Sequence, residues 1–468
     1  MKHPRHSNTT TSTTVLTGGA LVLSIATSVF AQQIPSTQPG TGQPPAPPSP
    51  PKAATPAAAA QPEPAAVEEF FSSKLPGAIA KGKFSLNSRL RYEYADQDGT
   101  PAMTDPSHAP TIRTRFGYTS APLYGFQGMI EAENISVLGS KHNYNAAGTS
   151  GEPEKPIVAD PATTELNQAW LSYAYTNWIA IKGGRQRITL DNHRFIGDVG
   201  WRQNMQTFDA ISAESKPIKD LSLYYGYIWD VRRIFGDVSG LGTANKDFKS
   251  QSHLFNVAYS PFTFGRLVGY TYLLDLENLG GNAQSSAIYG GYFAGNVNAT
   301  DKLSLGYRTE FAFQTDYADN PQDYRAEYYN LEISATVKPF SLGAGYEVLG
   351  TDSDDAGAGS VGFKTPLATG HAFNGWADSF LATPAKGLQD IYGYAQVVLP
   401  AQVPVRAVYH KYEADSGGGD YGYELDLQVS KKFGKHWTAL AKYAYYDGKD
   451  APIAIDVQKF WAQVEFNF

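Results

Sequence analysis

Residues Val457 to Phe468, VQKFWAQVEFNF, alternate strictly between two faces. Phe460, Ala462, Val464, Phe466 and Phe468 fall on one, and Lys459, Trp461, Gln463, Glu465 and Asn467 on the other. One such strand fits a soluble sandwich as well as a membrane wall, so the constraint comes from repetition. From Lys83 onward the same design recurs in eighteen segments, near 84–94, 111–119, 126–136, 165–175, 178–188, 204–214, 220–231, 251–260, 265–276, 286–295, 302–315, 324–337, 340–349, 389–399, 403–413, 420–431, 436–446 and 457–468. At about 3.3 Å per residue and a tilt near 40°, ten residues cover roughly 25 Å, the apolar height of a transmembrane β-barrel.

The connections alternate as well. Long polar stretches (95–110, 137–164, 232–250, 350–388) are each followed by a tight turn (Ser120–Gly125, Thr176-Asn177, Pro261–Phe264, Pro400–Gln402). Outer-membrane barrels do this because their periplasmic turns are short and their external loops long. The reading is therefore an all-β, antiparallel up-and-down transmembrane barrel of about 18 strands over residues 83–468. Aromatics at the turn ends, among them Tyr118, Phe126, Tyr173, Tyr175, Trp178, Tyr259, Phe340, Trp437, Phe466 and Phe468, fit a girdle at headgroup depth.

Composition agrees. Aromatics make up 13% of the chain, with 30 tyrosines and 45 glycines, which suits strands and membrane interfaces. The absence of cysteine excludes a disulfide framework and a thiolate metal site. Lys2 and Arg5, an uncharged run from Val15 to Phe30, and Val29-Phe30-Ala31 before Gln32 read as a secretory signal peptide, residues 1–31, cleaved after Ala31. Its removal takes two positive charges from a formal −7, leaving about −9, so nucleic acid is not expected as a partner. Residues 32–82, dominated at first by Pro, Ala and Gln, read as a disordered periplasmic linker. A solvated spacer is the reading adopted there, with contact to cell-wall or periplasmic export components as the competing one.

Several stretches resemble the alginate-export family of outer-membrane channels. They are Gly184-Arg185-Gln186-Arg187-Ile188, Trp201-Arg202-Gln203-Asn204 with Thr207-Phe208-Asp209-Ala210, Val231-Arg232-Arg233-Ile234-Phe235-Gly236, the block FKTPLATGHAFNGWADSFLATPAKGLQD from Phe363 to Asp390, and Tyr409-His410 followed by Asp420-Tyr421-Gly422-Tyr423-Glu424. The resemblance implies an eighteen-stranded barrel passing an anionic uronate polysaccharide or oligosaccharide through an arginine-lined pore in the outer membrane, among its lipid and lipopolysaccharide. It also implies a plug on a long periplasmic turn between strands 16 and 17. Here that connection is only about Lys431–Lys435, so the long external loop 350–388 is the better candidate for a gate.

Alternation assigns pore-lining candidates: Arg89, Arg91, Arg113, Arg115, Glu131, Glu133, Arg308, Glu310, His410, Glu424, Lys442 and Lys459. Arg187, Arg232 and Arg406 join them if Gly183-Gly184 introduces no bulge that flips the register. Since strand 18 must neighbour strand 1, Lys442, Lys459, Arg89, Arg91, Arg113 and Arg115 form a basic sector, with Glu332, Glu347, Glu424 and Asp426 around from it. Opposed sectors would orient a charged solute, and Arg suits carboxylated sugars through its two-pronged fork. Cross-strand pairing that only stiffens the wall is the competing reading for each residue.

Catalysis has little support, since Ser252 and His253 are adjacent on a strand and point to opposite faces. Asp352, Asp354 and Asp355 lack the spacing of a calcium loop, and no cofactor is implied. A diffusion porin for small charged solutes shares every barrel feature and stands as the alternative function.

Overall fold

The computed structural model describes residues 64–98, 103–176, 178–237, 246–278, 280–352, 360–450, 452 and 455–468. The signal-peptide and most of the linker assignments, and Asp354 and Asp355, lie outside them. Eighteen strands are present: β1 Lys83–Asp98, β2 Ser107–Thr119, β3 Phe126–Val137, β4 Thr163–Tyr175, β5 Ile179–Gln186, β6 Thr207–Ser215, β7 Leu221–Arg232, β8 Asp247–Phe262, β9 Gly265–Leu274, β10 Ser286–Asn298, β11 Leu303–Asp316, β12 Arg325–Val337, β13 Phe340–Leu349, β14 Leu388–Leu399, β15 Val403–Glu413, β16 Asp420–Phe433, β17 Trp437–Asp447 and β18 Asp456–Asn467. Each pairs antiparallel with its sequence neighbours, and β1 also pairs with β18, so the sheet closes and leaves no open edge.

The period of two carries the sidedness. Across the closing seam Leu90 faces Val464 and Arg91 faces Gln463. Leu90, Phe311, Leu331, Ile333, Leu342 and Ile391 are exposed on the outside, whereas Arg91, Arg113, Glu133 and Glu424 are buried within. A soluble fold would invert this. Outward charges such as Arg185, Lys249, Arg325 and Lys411 stay near strand ends, leaving an apolar band between. The aromatics at the turn ends, among them Tyr175, Trp178, Phe340, Trp437 and Phe468, are exposed below that band.

Four details differ from the sequence reading. Residues 64–80, assigned to the disordered linker, are helical: Pro64–Glu69 and Leu75–Ala80 are α, and Phe70–Lys74 between them is a π-turn. The Gly183-Gly184 pair does not shift the register of β5 against β4 or β6. Parity changes fall elsewhere: single residues bulge at Asn167 in β4 and Tyr421 in β16, and in β7 a bulge at Trp229 leaves Asp230 and Arg232 opposite Lys249 and Asp247 on the outer side, away from buried Val231 and Phe248. Arg232 is therefore not pore-lining. Finally, β6 begins at Thr207, so residues 204–206, read as strand, belong to the preceding loop.

Among the described residues, two external connections supply the hydrophobic packing inside the lumen: loop A, residues 187–206, and loop B, residues 350–352 and 360–387. They are joined by backbone bonds from Gly197 N–H to the Leu367 carbonyl (2.8 Å) and from Thr369 N–H to the His193 carbonyl (3.1 Å). Phe195 and Ile196 of loop A and Phe363, Leu367 and Phe380 of loop B pack against inward Tyr270, Tyr272, Tyr328, Tyr412 and Tyr446. The barrel thus has a hydrophobic core of its own inside the wall.

Candidate functional site

The basic sector is the wall of β17, β18, β1 and β2. The loops cover it. Arg89 bonds Glu465 across the seam (3.0 Å) and donates to the carbonyls of Gly200, Trp201 and Arg202 (3.1, 3.0 and 3.3 Å). Arg91 lies under the Trp201 ring at 4.0 Å, Arg113 bonds Asn87, and Arg115 pairs with Glu133, its partner in the β2–β3 register. Glu131 accepts from Asn167 and Gln168 (2.7 and 3.0 Å). Arg91, Arg113 and Glu133 are 0–1% exposed and so do not meet water; of the three, Arg91 packs directly on loop A, through Trp201.

Arg202 of loop A links wall to loops. It reaches Glu93 on β1 (3.0 Å), Asp160 (3.7 Å) and Asp378 of loop B (3.9 Å). Burial works against its charge, but Glu93, Asp160 and Asp378 outweigh it and raise its pKa. Arg202→Ala would strand Glu93 as a buried charge, at about 3–5 kcal/mol. The expected outcome is protease cleavage after Arg187 or Arg194 in a barrel that still shows the folded mobility shift on unheated gels; cleavage at the wild-type rate would refute this.

Loop B bridges the two charge sectors through its tip, residues 371–378. On the basic side, Lys442 donates to His371 Nε2 (2.8 Å), so His371 carries its proton on Nδ1 and gives it to Asp378 (2.7 Å); Asp378 in turn binds Lys459 (2.9 Å). The Lys442 ammonium sits 4.2 Å from the Trp201 ring and 3.7 Å from Trp376, and His371 stacks on Trp201 at 4.4 Å. On the acidic side, the N–H groups of Trp376 and Ala377 donate to Asp426 (3.2 Å) and Glu424 (2.6 Å). Asn374 donates to Glu347 (2.7 Å) and Asp390 (3.1 Å), and Arg194 of loop A pairs with Glu347 (2.9 Å). His410 bonds Asp390 at 2.9 Å and Arg308 pairs with Glu310 at 2.6 Å.

The periplasmic half differs. Lys182 on β5, Arg266 on β9 and Arg406 on β15 face the lumen a few residues above the turns, and among the described residues none has a carboxylate at ion-pair distance. Lys182 lies 4.9 Å from the Trp170 ring and Arg406 4.1 Å from Tyr394, while Arg308 lies 3.8 Å from Tyr292. Arg187, half exposed beyond the end of β5, pairs with Asp198 of loop A. Of the cations without a carboxylate partner among the described residues, Arg406 is legible in the alternation and Lys182 and Arg266 are not. Lys182 and Arg266 each sit on a short or glycine-broken stretch with weak periodicity. Arg194, Arg202, His371, Asn374 and Asp378 lie in segments between strands, where alternation carries no signal.

A closed eighteen-stranded wall, an apolar exterior and a charged interior narrowed by its own loops define an outer-membrane channel. A family model for alginate export matches residues 83–327, just over half of the chain, and the chain belongs to that family. Its fold is similar to those of OccAB2 of Acinetobacter baumannii (13% identity over 84% of this chain and 99% of that one, TM-score 0.64) and OccK9 (OpdG) of Pseudomonas aeruginosa (14%, 84% and 100%, TM-score 0.63). It is also similar to that of Pseudomonas aeruginosa OpdK solved with vanillate (10%, 82% and 98%, TM-score 0.62). A search among curated proteins returns no significant match. Family and fold are those of channels, not enzymes.

Proposed function

We propose that the channel carries anionic saccharides, uronate oligomers or a uronate polymer, across the outer membrane. The observation that supports this reading is the set of lumen-facing cations in the periplasmic half with no carboxylate at ion-pair distance among the described residues, two of them laid over aromatic rings: Lys182 on Trp170 and Arg406 on Tyr394. A uronate residue offers a carboxylate for the cation and an apolar sugar face for the ring, so each pair matches one sugar unit. By contrast, the cations of the basic sector are committed to Glu465, Glu133 and the loop carbonyls.

The test is current block in planar bilayers by sized uronate oligomers. Blocks are expected to lengthen with oligomer size, and Arg406→Gln is expected to shorten them roughly tenfold, the loss of one charge-assisted contact. Equal block by neutral oligomers of the same length would sink the proposal. A second reading, a porin for small carboxylates, is favoured by the packing of loops A and B inside the barrel, and OpdK was solved with one such solute. It predicts permeation of monomeric carboxylates in liposome swelling with no length-dependent block.

A further inference from the structure

The helical segment 64–80 runs along the rim of the barrel at the β2–β3 turn. Tyr118 faces outward, opposite Phe84 in the β1–β2 register, and its hydroxyl donates to the Ile79 carbonyl. Ala121 N–H donates to the Ala78 carbonyl (3.1 Å), and the Phe70 ring stacks on Tyr124 at 6.4 Å. These contacts bury Ala78 and part of Phe70. They leave Val67, Phe71 and Ile79 exposed at 40, 63 and 52%, spaced by four and eight residues and so on one side of the helix.

An exposed apolar stripe on a water-facing helix is costly, and here it is continuous with a surface that lipid already covers. Its partner on the turn, Tyr124, is 66% exposed, and next to it stands Phe126 of the aromatic girdle. Lys81 and Lys83, both exposed, follow directly, and their ammonium groups suit phospholipid phosphates. We infer that residues 64–80 form an interfacial foot whose Phe71 and Ile79 insert into the periplasmic leaflet of the outer membrane, with phospholipid as the occupant of the exposed stripe.

The chain has no cysteine, so one nitroxide can be placed unambiguously in the full protein. Phe71→Cys, Ile79→Cys and, on the polar side, Ser73→Cys are labelled, reconstituted in phospholipid vesicles, and compared for collision with oxygen and with a water-soluble nickel chelate. Each barrel is first checked for heat-modifiable mobility. The expected result is an oxygen-to-nickel ratio several-fold higher at 71 and 79 than at 73. Equal, water-like ratios at all three positions would overturn the inference and place the helix in the periplasm. Labels at 71 and 79 shielded from both reagents would also overturn it, since the stripe would then be covered by protein.

Discussion

Replacing Gly375 with valine is expected to raise single-channel conductance several-fold while leaving the barrel folded. Gly375 has φ +85°, between Asn374 at +53° and Asp378 at +62°, so the tip of loop B turns through a region that β-branched residues almost never enter. A Cβ at Gly375 would also overlap the Glu424 carboxylate and the Tyr412 hydroxyl. Neither can give way cheaply, since Glu424 is fully buried and holds Ala377 N–H at 2.6 Å. Strain of about 1–2 kcal/mol from the left-handed backbone adds to the overlap, and both act on the seated tip alone. Unseating it removes the Trp376, Ala377 and Asn374 contacts together and frees the lumen of a barrel wide enough for an aqueous path. Gly418→Val is the control: its φ is +68° but nothing lies within 4 Å of its Cβ position, in the external β15–β16 connection. It should carry similar backbone strain with unchanged conductance. If Gly375→Val conducts like the wild type, the tip does not narrow the channel.

The tip also shows where the sequence is legible and where it is not. Strands were readable because a wall with lipid on one side and polar groups on the other forces a period of two on every segment, as in Leu303 to Gln314 of β11. Face assignment then failed at Trp229, where one extra residue in β7 reverses parity and turns Arg232 outward, and no residue type marks that bulge. The charge ladder on β17, β18, β1 and β2 could be listed from alternation, but not its solvent exposure. That depends on loops A and B folding back inside, and irregular backbone obeys no period. The clues available were the GHAFNGWAD and WRQN stretches. Their small residues, tryptophans and paired charges suit a packed interior better than a solvated loop, and both lie in motifs that carried the family resemblance.

Acidification should unseat loop B through His371. Its ring is enclosed by Lys442 of β17, Trp461 of β18, Trp201 and Arg202 of loop A, and Asp378 of its own loop, with Lys459 beyond Asp378 and Arg91 behind Trp201. Burial, then the charges of Lys442 and Arg202, hold its pKa well below the ordinary 6.5 despite Asp378. A histidine on a released, hydrated tip would titrate near 6.5. The released state therefore binds the extra proton first, and seating weakens as pH falls below 6.5. The weakening is about 1.4 kcal/mol, or tenfold in the released fraction, per pH unit until the seated ring itself protonates. Asp378 has the opposite history: burial would raise it, but Lys459 and His371 hold it well below 3.8, so its contribution to seating persists until the pH drops under that value. Between pH 6.5 and about 4, His371 is the member of the relay that gains a proton on release. Conductance is expected to climb across that interval. His371→Gln can still accept from Lys442 through its carbonyl oxygen and donate to Asp378 through its amide, with no proton to gain. It should seat normally at pH 7.5 and flatten the profile. A profile that keeps its slope in this variant would move the switch elsewhere, to His410 beside Asp390 or His193 beside Asp198.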